Sequence, residues 1–498
     1  MRTLSLSVLA LASVLLFSCE NGEKQEGGTQ APQTITLTPS SLSPEAAGGS
    51  YSLTVTAPSR PRIGNLPEWI RLTDGTFKDY AITFGLTVAP NASEQARSAS
   101  LSVSAGTLST AFSVSQQGVQ PPDTPEPGVD PAGWENAASA ARNMGVGWNL
   151  GNTLESNSGD VNNMWIELYT DRTPSAYETA WGQPVATREL IHLFKEAGFK
   201  SIRVPVTWYP HMGNVVVSGG KWDMASWTGT AVDPVWMARV KEVVDYVIDE
   251  GLYCILNVHH DTGDATTAWL RADRTVYSSV RGRYCSLWTQ IAETFGSYGQ
   301  KLLFESFNEM LDAAGTWNSS TDEAHEVINL YNADFVATVR ATGGNNAHRN
   351  LILNTYCAGT QPITLNAFRL PEDTVEGHLL AEVHSYAPFL FAFDVESGAK
   401  TVFDASCEAD VRQQVQNVYD CLVSRGIPCV LGEYGCTGKR AESEMAKQAA
   451  CYVQAALQYD IPCFYWMVLS EGEDRTVPKW SKPVLKDAII QAFNAYKR

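Results

Sequence analysis

Residues 301–309 have the sequence KLLFESFNE, a short apolar run that ends in an amide and a carboxylate. Such a run predicts a strand that is covered on both faces, as in a parallel sheet. Residues 428–435, with the sequence PCVLGEYG, form a second run of this kind and contain Glu433. Polar side chains at the end of a buried parallel strand more often belong to a functional site than to the packed core. Asn308, Glu309 and Glu433 are therefore candidate functional residues, and two such glutamates can supply a proton donor and a nucleophile or base.

Strand and helix patterns alternate from residue 132 to residue 498, which is typical of an α/β fold. Helical stripes between the strands end at glycines such as Gly198 and Gly251, and Asp233-Pro234 is a helix start. Eight strands with intervening helices predict a (β/α)8 TIM barrel with enlarged loops. The predicted strands lie near residues 145–150, 201–206, 253–258, 302–307, 351–355, 379–384, 429–432 and 463–467.

Residues 34–118 have a different pattern, in which apolar residues alternate with Ser and Thr. This period of two, with Gly, Pro and Asn between the runs, predicts a small all-β immunoglobulin-like sandwich. Residues 67–70 and 96–118 resemble the BACON domain of Bacteroidetes proteins, which implies carbohydrate binding. No exposed row of aromatic residues is evident, so we favour a spacer role. Residues 119–131 contain five prolines and predict a semi-rigid linker.

The first residues are typical of a targeting segment. Arg2 precedes an apolar run from Leu4 to Phe17 that is too short to span a bilayer, which predicts a signal peptide over residues 1–18. Residues 16–19, LFSC, resemble a bacterial lipobox with Cys19 as the lipidated residue, and residues 19–33 are a polar tether. We expect a lipid anchor through Cys19 in the outer membrane, with the protein at the cell surface. A periplasmic or secreted protein is the alternative.

The charge and composition of the chain bear on its partners. A net charge of −18 would be repelled by phosphate backbones, so we expect no nucleic-acid partner. Fourteen tryptophans and nineteen tyrosines suit sugar rings as well as protein cores. Apart from Cys19 the cysteines show no CxxC pair and no regular spacing, which predicts mostly buried free thiols. We expect a monomer that needs no cofactor.

The carboxyl ends of barrel strands converge on one cavity, so the residues there test the barrel hypothesis. Beyond the three residues above, these positions carry a guanidinium, imidazoles, a phenol and an indole. They are Arg203, His259, His260, His384, Tyr386 and Trp466. His259 and His260 resemble a metal pair, but adjacent strand residues point to opposite sides and no third ligand has metal spacing. We therefore predict no metal site.

Seven motifs in this order resemble glycoside hydrolase family 5, and its endoglucanase-rich fourth subfamily in particular. The resemblance runs from about residue 133 to the C terminus. One departure is that Met467-Val468 follows Trp466 where the family usually has Trp-Asp-Asn-Gly, which affects the contacts near the glycone. The motifs are 147–154 GWNLGNTL, 178–184 ETAWGQP, 198–208 GFKSIRVPVTW, 257–260 NVHH, 304–309 FESFNE, 383–386 VHSY and 432–435 GEYG.

The resemblance implies roles for the site residues. Glu309 would be the acid/base and Glu433 the nucleophile, kept ionised by Arg203 and by a hydrogen bond from Tyr386. Asn308 would hold the sugar 2-hydroxyl group. The remaining substrate-binding residues would orient the carboxylates, donate to the sugar or stack on it, with Trp466 under the glycone and Trp317 on the leaving-group side. The substrate-binding set is Arg203, His259, His260, Asn308, Trp317, His384, Tyr386 and Trp466.

The implied function is an endo-acting, retaining β-1,4-glucanase that hydrolyses cellulose-type, mixed-linkage or xyloglucan chains by double displacement. A β-mannanase or a xylanase of the same fold is one alternative. A carbohydrate-binding surface lipoprotein whose barrel has lost activity is the alternative from a different class, and the presence of both carboxylates disfavours it.

Overall fold

The computed structural model describes residues 31–91, 93, 95–118, 130, 132–317, 321–393, 398–466 and 478–496. The chain forms two compact units, Met1–Thr124 and Pro125–Arg498. The predicted signal peptide, Cys19 and most of the proline-rich linker lie outside the described residues. In the described ranges, no helix combines the length and the apolar character needed to cross a membrane.

The described part of the N-terminal unit is a sandwich of two four-stranded sheets. Its strands are β1 Thr36–Thr38, β2 Ser41–Leu42, β3 Gly49–Thr56, β4 Arg62–Gly64, β5 Ile70–Thr73, β6 Ala81–Val88, β7 Arg97–Ala105 and β8 Leu108–Gln116. The sheet orders are β1-β3-β6-β5 and β2-β8-β7-β4. Neighbouring strands are antiparallel except for β2 and β8, which pair in parallel.

The core of the sandwich follows the predicted period of two. In β6, Ile82, Phe84, Leu86 and Val88 are buried while the intervening residues are not. Alternating strands expose one face to water and turn the other towards the facing sheet, where the two apolar faces form the core. The predicted all-β sandwich is therefore confirmed.

The second unit contains twelve strands in the described residues, and eight of them form a closed parallel barrel. Two small antiparallel hairpins, β11 with β14 and β12 with β13, lie between β10 and β15. The barrel order is β9-β10-β15-β16-β17-β18-β19-β20, and β20 pairs with β9 to close it. This confirms the predicted TIM barrel. The strands are β9 Val146–Asn149, β10 Ser201–Val204, β11 Met212–Asn214, β12 Val217–Ser218, β13 Lys221–Trp222, β14 Thr228–Val232, β15 Tyr253–Asn257, β16 Leu302–Glu305, β17 Leu351–Asn354, β18 Leu379–Ser385, β19 Cys429–Tyr434 and β20 Cys463–Trp466.

The helices pack around the barrel and begin and end where their caps predict. The Thr187 hydroxyl accepts from the Leu190 amide at the start of α4, and Gly198, in the left-handed conformation, ends that helix. Asp233 caps α5, with Pro234 at the first helical position. The helices are α1 Ala137–Met144, α2 Trp165–Tyr169, α3 Pro174–Glu178, α4 Arg188–Ala197, α5 Pro234–Asp249, α6 Arg274–Thr294, α7 Asp322–Ala341, α8 Pro362–Ala367, α9 Phe389–Ala392, α10 Ala405–Cys421, α11 Glu442–Leu457 and α12 Pro483–Tyr496.

The interior of the barrel changes from apolar to polar along its axis. An apolar layer, packed with residues of α1, contains Ile255, Leu303, Ile352, Leu380, Val430 and Phe464. Two residues further along these strands, on the same face, most side chains are polar. We call the buried polar residues at these positions, together with the equivalent residues of β9 and β10, the polar layer. It comprises Asn149, Arg203, Asn257, Glu305, Asn354 and Glu382. The polar layer is the floor of the candidate site.

Candidate active site

A cavity of about 860 Å³ opens at the carboxyl ends of the barrel strands. Nine of the ten residues predicted to act on or bind a substrate line this cavity. They are His259, His260, Asn308, Glu309, Trp317, His384, Tyr386, Glu433 and Trp466. Residues that are up to about 200 positions apart in the sequence therefore surround one space, as the parallel barrel requires.

Glu309 and Glu433 face each other across the cavity. A carboxylate oxygen of Glu309, one of Glu433 and a ring nitrogen of His384 all lie within 4.8 Å of one another. Retaining glycosidases place their two carboxyl groups about 5–5.5 Å apart, whereas inverting enzymes leave about 6.5–9.5 Å for a water molecule. The spacing of Glu309 and Glu433 fits the shorter of the two arrangements.

A bulge in β19 turns Glu433 towards the cavity. Val383 of β18 pairs with Leu431, but the next residue, His384, pairs with Glu433, so Gly432 is an extra residue in β19. Strict alternation would have placed Glu433 on the same face as Leu431, which packs in the outer core against the helices. The bulge therefore re-aims one side chain. The sequence prediction placed Glu433 at the site without providing for this bulge.

Glu433 is held as a carboxylate by two donors. Arg203 Nη1 donates to Oε1 at 2.8 Å, and the Tyr386 hydroxyl donates to Oε2 at 2.7 Å. Burial alone would raise the pKa of Glu433, but the positive charges of His384 and Arg203 and the hydrogen bond from Tyr386 hold it below its ordinary value. Glu433 is thus ionised in the resting site.

Glu309 has the opposite environment. Burial raises its pKa above the ordinary value, and the charge of Glu433 adds to the shift, although the hydrogen bond and the charge of His384 oppose it. His384 Nδ1 lies 2.8 Å from Oε1 of Glu309, whose side chain is 22% exposed to the cavity. One carboxyl group therefore keeps a proton more readily while its neighbour remains charged, which is how a pair of carboxyl groups divides acid and nucleophile roles.

Arg203 does not reach the cavity, which corrects its prediction as a substrate-binding residue. Its side chain is fully buried, and its five N–H groups are taken by protein oxygens. Two of the N–H groups form a bidentate pair with Glu305 at 2.6 and 2.7 Å. The other three donate to Glu433, Asn149 and Asn308. Arg203 therefore anchors the site from below instead of binding the substrate.

His384 is engaged on both sides of its ring. Nδ1 faces Glu309, and Nε2 lies 3.2 Å from Oε1 of Glu382. Despite burial, the negative charge of Glu433 and the hydrogen bonds to Glu309 and Glu382 raise the pKa of His384 to about 10. The ring is thus an imidazolium that donates at both nitrogens. This supports the predicted orienting role, and it leaves His384 no ring nitrogen with which to donate to a sugar.

The same hydrogen bonds bear on metal binding. In the described part of the chain, Glu309, His384 and Glu433 are the group of His, Cys, Asp and Glu side chains close enough to hold an ion. An imidazolium has no lone pair to offer a metal, and both nitrogens of His384 face carboxyl oxygens. The chemistry of this donor set therefore favours proton transfer over metal ligation.

His259 and His260 both line the cavity, which corrects the expectation that they point to opposite sides. The strand ends at Asn257, so the two histidines lie in the turn after it, where strand alternation no longer applies. The two rings are 4.5 Å apart and nearly perpendicular. The His259 ring stacks parallel to Trp466 at 5.8 Å between centroids.

His259 presents a donor to the cavity. Burial lowers its pKa well below the ordinary value, so the ring is neutral. The amide nitrogen of Asn257 lies 3.0 Å from Nδ1 of His259 and donates to it. The proton of the neutral ring therefore lies on Nε2, where it is available to a ligand hydroxyl group.

Apart from Arg203, the residues of the polar layer under the site were not found from the sequence. Glu305 accepts from Arg203 and from Asn257, whose amide nitrogen lies 2.9 Å from Oε1. Glu382 is likewise fully buried. The available signal was a charged residue at an inward position of an otherwise apolar strand, as in Leu303-Phe304-Glu305 and Leu380-Ala381-Glu382.

Comparisons with known proteins agree with this geometry. Residues 165–472 match the sequence profile of Cellulase (glycosyl hydrolase family 5), and residues 62–117 match BACON, a putative N-terminal binding domain. Endoglucanase A of Clostridium longisporum is 35% identical over 378 residues, which are 73% of this chain and 67% of that protein.

Solved structures of similar enzymes superpose on the barrel. A family 5 glycoside hydrolase of Prevotella bryantii B14, solved as a variant with a xyloglucan tetradecasaccharide, is 39% identical with a TM-score of 0.64; the match covers 72% of this chain and 99% of that one. A broad-specificity GH5-4 endoglucanase of Ruminococcus champanellensis with bound cellotriose is 36% identical with a TM-score of 0.62, over 71% and 98%. The fold, the paired carboxyl groups and these matches lead to one conclusion: the chain belongs to glycoside hydrolase family 5.

Proposed function

We propose that the protein is an endo-acting β-1,4-glucanase that works by double displacement with retention of configuration. The observation that carries the proposal is the pair Glu309 and Glu433, which lie close enough for a retaining enzyme and have pKa values shifted in opposite directions. The endoglucanase relatives support the choice of a β-1,4-glucan.

In the first step, a carboxylate oxygen of Glu433 attacks the anomeric carbon while Glu309 gives its proton to the glycosidic oxygen. The bond to the leaving sugar breaks, and a glycosyl ester with Glu433 forms. In the second step Glu309, now ionised, takes a proton from a water molecule, whose oxygen displaces Glu433 from the anomeric carbon. The two inversions give a product with the β-configuration of the substrate.

The other residues of the cavity bind the sugar in this proposal. Arg203 Nη2 donates to the amide oxygen of Asn308 at 2.9 Å, so the amide nitrogen of Asn308 is the group left to hold the 2-hydroxyl. The Nε2–H of His259 donates to a hydroxyl of the glycone, and Trp466 provides the stacking surface. Trp317, 41% exposed at the rim, is the platform for the leaving sugar.

The substrate class is a neutral β-glucan of the cellulose type, a mixed-linkage glucan or a xyloglucan. The related structures contain cellotriose and a xyloglucan oligosaccharide, which supports this range. Reducing-sugar release from the three glucans, with mannan and xylan as comparisons, tests it. Preferred hydrolysis of mannan or xylan would favour the alternative enzymes, and absence of hydrolysis with retained binding would favour the binding protein.

NMR of the first-formed product tests the stereochemistry. We expect the β-anomer from a soluble cello-oligosaccharide before mutarotation. An α-anomer as the first product would contradict the double-displacement mechanism, even if glucan hydrolysis itself were confirmed.

We further propose that Cys19, which lies outside the described residues, anchors the protein by a lipid in the outer membrane with the barrel outside the cell. The proposal rests on the lipobox-like sequence before Cys19. Metabolic labelling with a fatty acid should mark the wild-type protein and not a Cys19→Ala variant. Cleavage of the barrel by protease added to intact cells tests surface display, and protection would indicate a periplasmic location.

A further inference from the structure

Glu382 lies one layer below His384 on the same strand and the same face of β18. The side chain is fully buried. Its Oε1 lies 3.2 Å from Nε2 of His384, and its Oε2 has no hydrogen-bond partner among the described residues. An ionised carboxylate with an unsatisfied oxygen in a protein interior is costly, so the surroundings of Glu382 favour its neutral form.

Arg203 does not offset that cost. Its Nε lies 3.4 Å from Oε1 of Glu382, but the N–H of this nitrogen donates to Glu305 at 2.6 Å. The four N–H groups on Nη1 and Nη2 are also taken, by Asn149, Glu433, Glu305 and Asn308. A guanidinium has five N–H donors, and none is left for Glu382.

The charges around Glu382 lead to the same conclusion. Four neighbouring carboxyl groups share two cations, Arg203 and His384. Glu305, Glu382 and Glu433 are buried, and Glu309 is partly exposed to the cavity. With Glu305 and Glu433 as the charged partners of Arg203, the cluster is neutral when both Glu309 and Glu382 hold protons. Ionisation of Glu382 would give the buried cluster an excess negative charge.

The pKa of Glu382 agrees with this balance of charges, in which Glu382 is protonated. Burial and the charge of Glu305 raise its pKa to about 8, against the lowering effects of Arg203 and His384. On the neighbouring strand β19, the charge of Glu382 also acts on the thiol of Cys429, whose pKa is raised mainly by burial, so that this thiol stays uncharged. The groups that face Glu382 thus provide one uncommitted donor, the Nε2–H of His384.

The fold makes room for this carboxyl group at the bulge that aims Glu433. The side chain of Glu382 fills the space beside Gly432. A Cβ atom added at position 432 would overlap Oε1 and Cδ of Glu382. Gly432 is therefore required by the packing of Glu382.

We propose that Glu382 is a positioning residue that remains a neutral carboxylic acid while the enzyme works and holds His384 from below, so that Nδ1 of His384 faces Glu309. Glu382 touches neither substrate nor reacting atoms and acts through His384. The kinetic part of the inference rests on the proposed function, whereas the protonation state does not.

Two near-isosteric variants test the positioning role in the full-length protein. Glu382→Gln keeps an oxygen that can accept from His384, and Glu382→Met fills the space without an acceptor. We expect kcat on a soluble glucan to stay within about threefold of wild type for Gln and to fall at least tenfold for Met, part of the roughly 10²–10⁴-fold contribution of general acid–base catalysis. Equal activity of the two variants, whether high or low, would overturn the inference.

Thermal unfolding against pH tests the protonation state without any activity. Between the ordinary pKa of 4.5 and the folded value of about 8, folded wild type holds a proton that the unfolded chain releases, so wild-type stability falls as pH rises through this window. The Glu382→Gln variant has no carboxyl proton at this position, so it does not lose stability in this way as pH rises. We therefore expect the Tm of the variant relative to wild type to rise from pH 4.5 to pH 8, and a relative Tm that stays flat or falls would show that Glu382 is ionised in the fold.

Glu178→Gln is the matched control. Glu178 is a fully buried glutamate whose ion pair with Arg239, 2.8 Å long, lies between α3 and α5 outside the barrel interior. Its replacement should lower the Tm and leave kcat unchanged. If wild type proves inactive on glucans, the proposed function fails while the pH dependence of Tm still decides the state of Glu382.

Discussion

The phenol oxygen of Tyr386 lies 2.7 Å from Oε2 of Glu433, on the opposite side of the carboxylate from Arg203. Each oxygen of the proposed nucleophile thus has its own donor. Arg203 belongs to β10, and Tyr386 directly follows β18. Tyr386 also lines the cavity, whereas Arg203 is buried beneath it. The tyrosine is therefore the donor that can be removed without disturbing the floor of the site.

Tyr386→Phe should lower kcat/KM and move its acidic limb to higher pH. The variant removes one of the contacts that hold the pKa of Glu433 below its ordinary value, so the nucleophile protonates at a higher pH. A hydrogen bond to a charged group contributes about 1.5–3 kcal/mol, which predicts a loss of roughly 10–100-fold. The pH–rate profile is the measurement, and Tyr331→Phe, at a fully buried tyrosine of α7, is the control. An unshifted acidic limb would contradict this role of Tyr386.

Glu309→Gln and Glu433→Gln should each abolish most glucan hydrolysis while the protein still folds. The acid contributes roughly 10²–10⁴-fold, and loss of the nucleophile removes the covalent route altogether. Activity on a soluble glucan and the thermal unfolding curve are the two measurements. Near-normal rates in both variants would refute the assignment of the site.

Activated substrates and azide distinguish the two glutamates. Glu309→Ala should still form the glycosyl ester from dinitrophenyl cellobioside, because that leaving group needs no proton. Glu433→Ala should form an α-glycosyl azide when azide is added, since azide enters the space of the nucleophile and attacks once. Formation of a β-glycosyl azide by Glu433→Ala would reverse the two roles.

Trp317→Ala should affect natural substrates and not aryl glycosides. The indole lines the cavity on the side proposed for the leaving sugar, and stacking of this kind contributes about 0.5–1.5 kcal/mol. We expect KM for a cello-oligosaccharide to rise roughly two- to tenfold, with aryl cellobioside kinetics unchanged. Tyr169→Ala, at a 79% exposed aromatic residue outside the cavity, is the control. Equal effects on both substrates would place Trp317 outside the leaving-group side.

Gly432→Ala should destabilise the wild-type protein more than it destabilises the Glu382→Ala variant. The added Cβ would overlap the Glu382 carboxyl group, and shortening that side chain to alanine removes the overlap. A double-mutant cycle of thermal unfolding measures this coupling. Additive effects would show that the Glu382 side chain does not require glycine at position 432.

Removal of residues 34–118 should leave hydrolysis of soluble glucan by the purified protein unchanged. In that unit the Trp69 ring packs against the sandwich core, and one of its faces is covered by the guanidinium of Arg97, 4.5 Å from the ring centroid, which leaves little of the ring for stacking on a sugar. Steady-state kinetics with and without the unit are the test. A sharply raised KM in the truncated protein would show that the BACON domain binds the polysaccharide.

The sequence predicts what repeats along the chain and what ends a strand. Both the alternation in β6 and the glycine after α4 were visible without a structure, as were Glu309 and Glu433, because each follows an apolar run. Contacts between strands are not encoded locally. The bulge at Gly432 depends on how β18 and β19 pair, and the turn that brings His259 and His260 to one side depends on where β15 stops.

Most of the polar layer could not be predicted from the sequence for the same reason, because it depends on contacts within the folded barrel. Glu305 and Glu382 are as buried as core residues. Only the folded barrel shows that Arg203 of another strand pairs with Glu305, and that Glu382 lies beneath the ring of His384. Arg203 was found as a strand-end residue, but its burial beneath the cavity depends on partners from other strands, above all Glu305, with which it forms the bidentate pair.

Because Arg203 is bonded to four other side chains at once, the floor of the site will respond to substitution as a single unit. The effects of two substitutions within such a network on stability or activity do not add. A second substitution can compensate for the first or abolish the function that remained after it. Adaptation of this barrel to a new polysaccharide is therefore easier through the loops at the rim, where Trp317 lies, than through the strands. Directed evolution of specificity should accumulate substitutions in those loops and conserve the six residues of the floor.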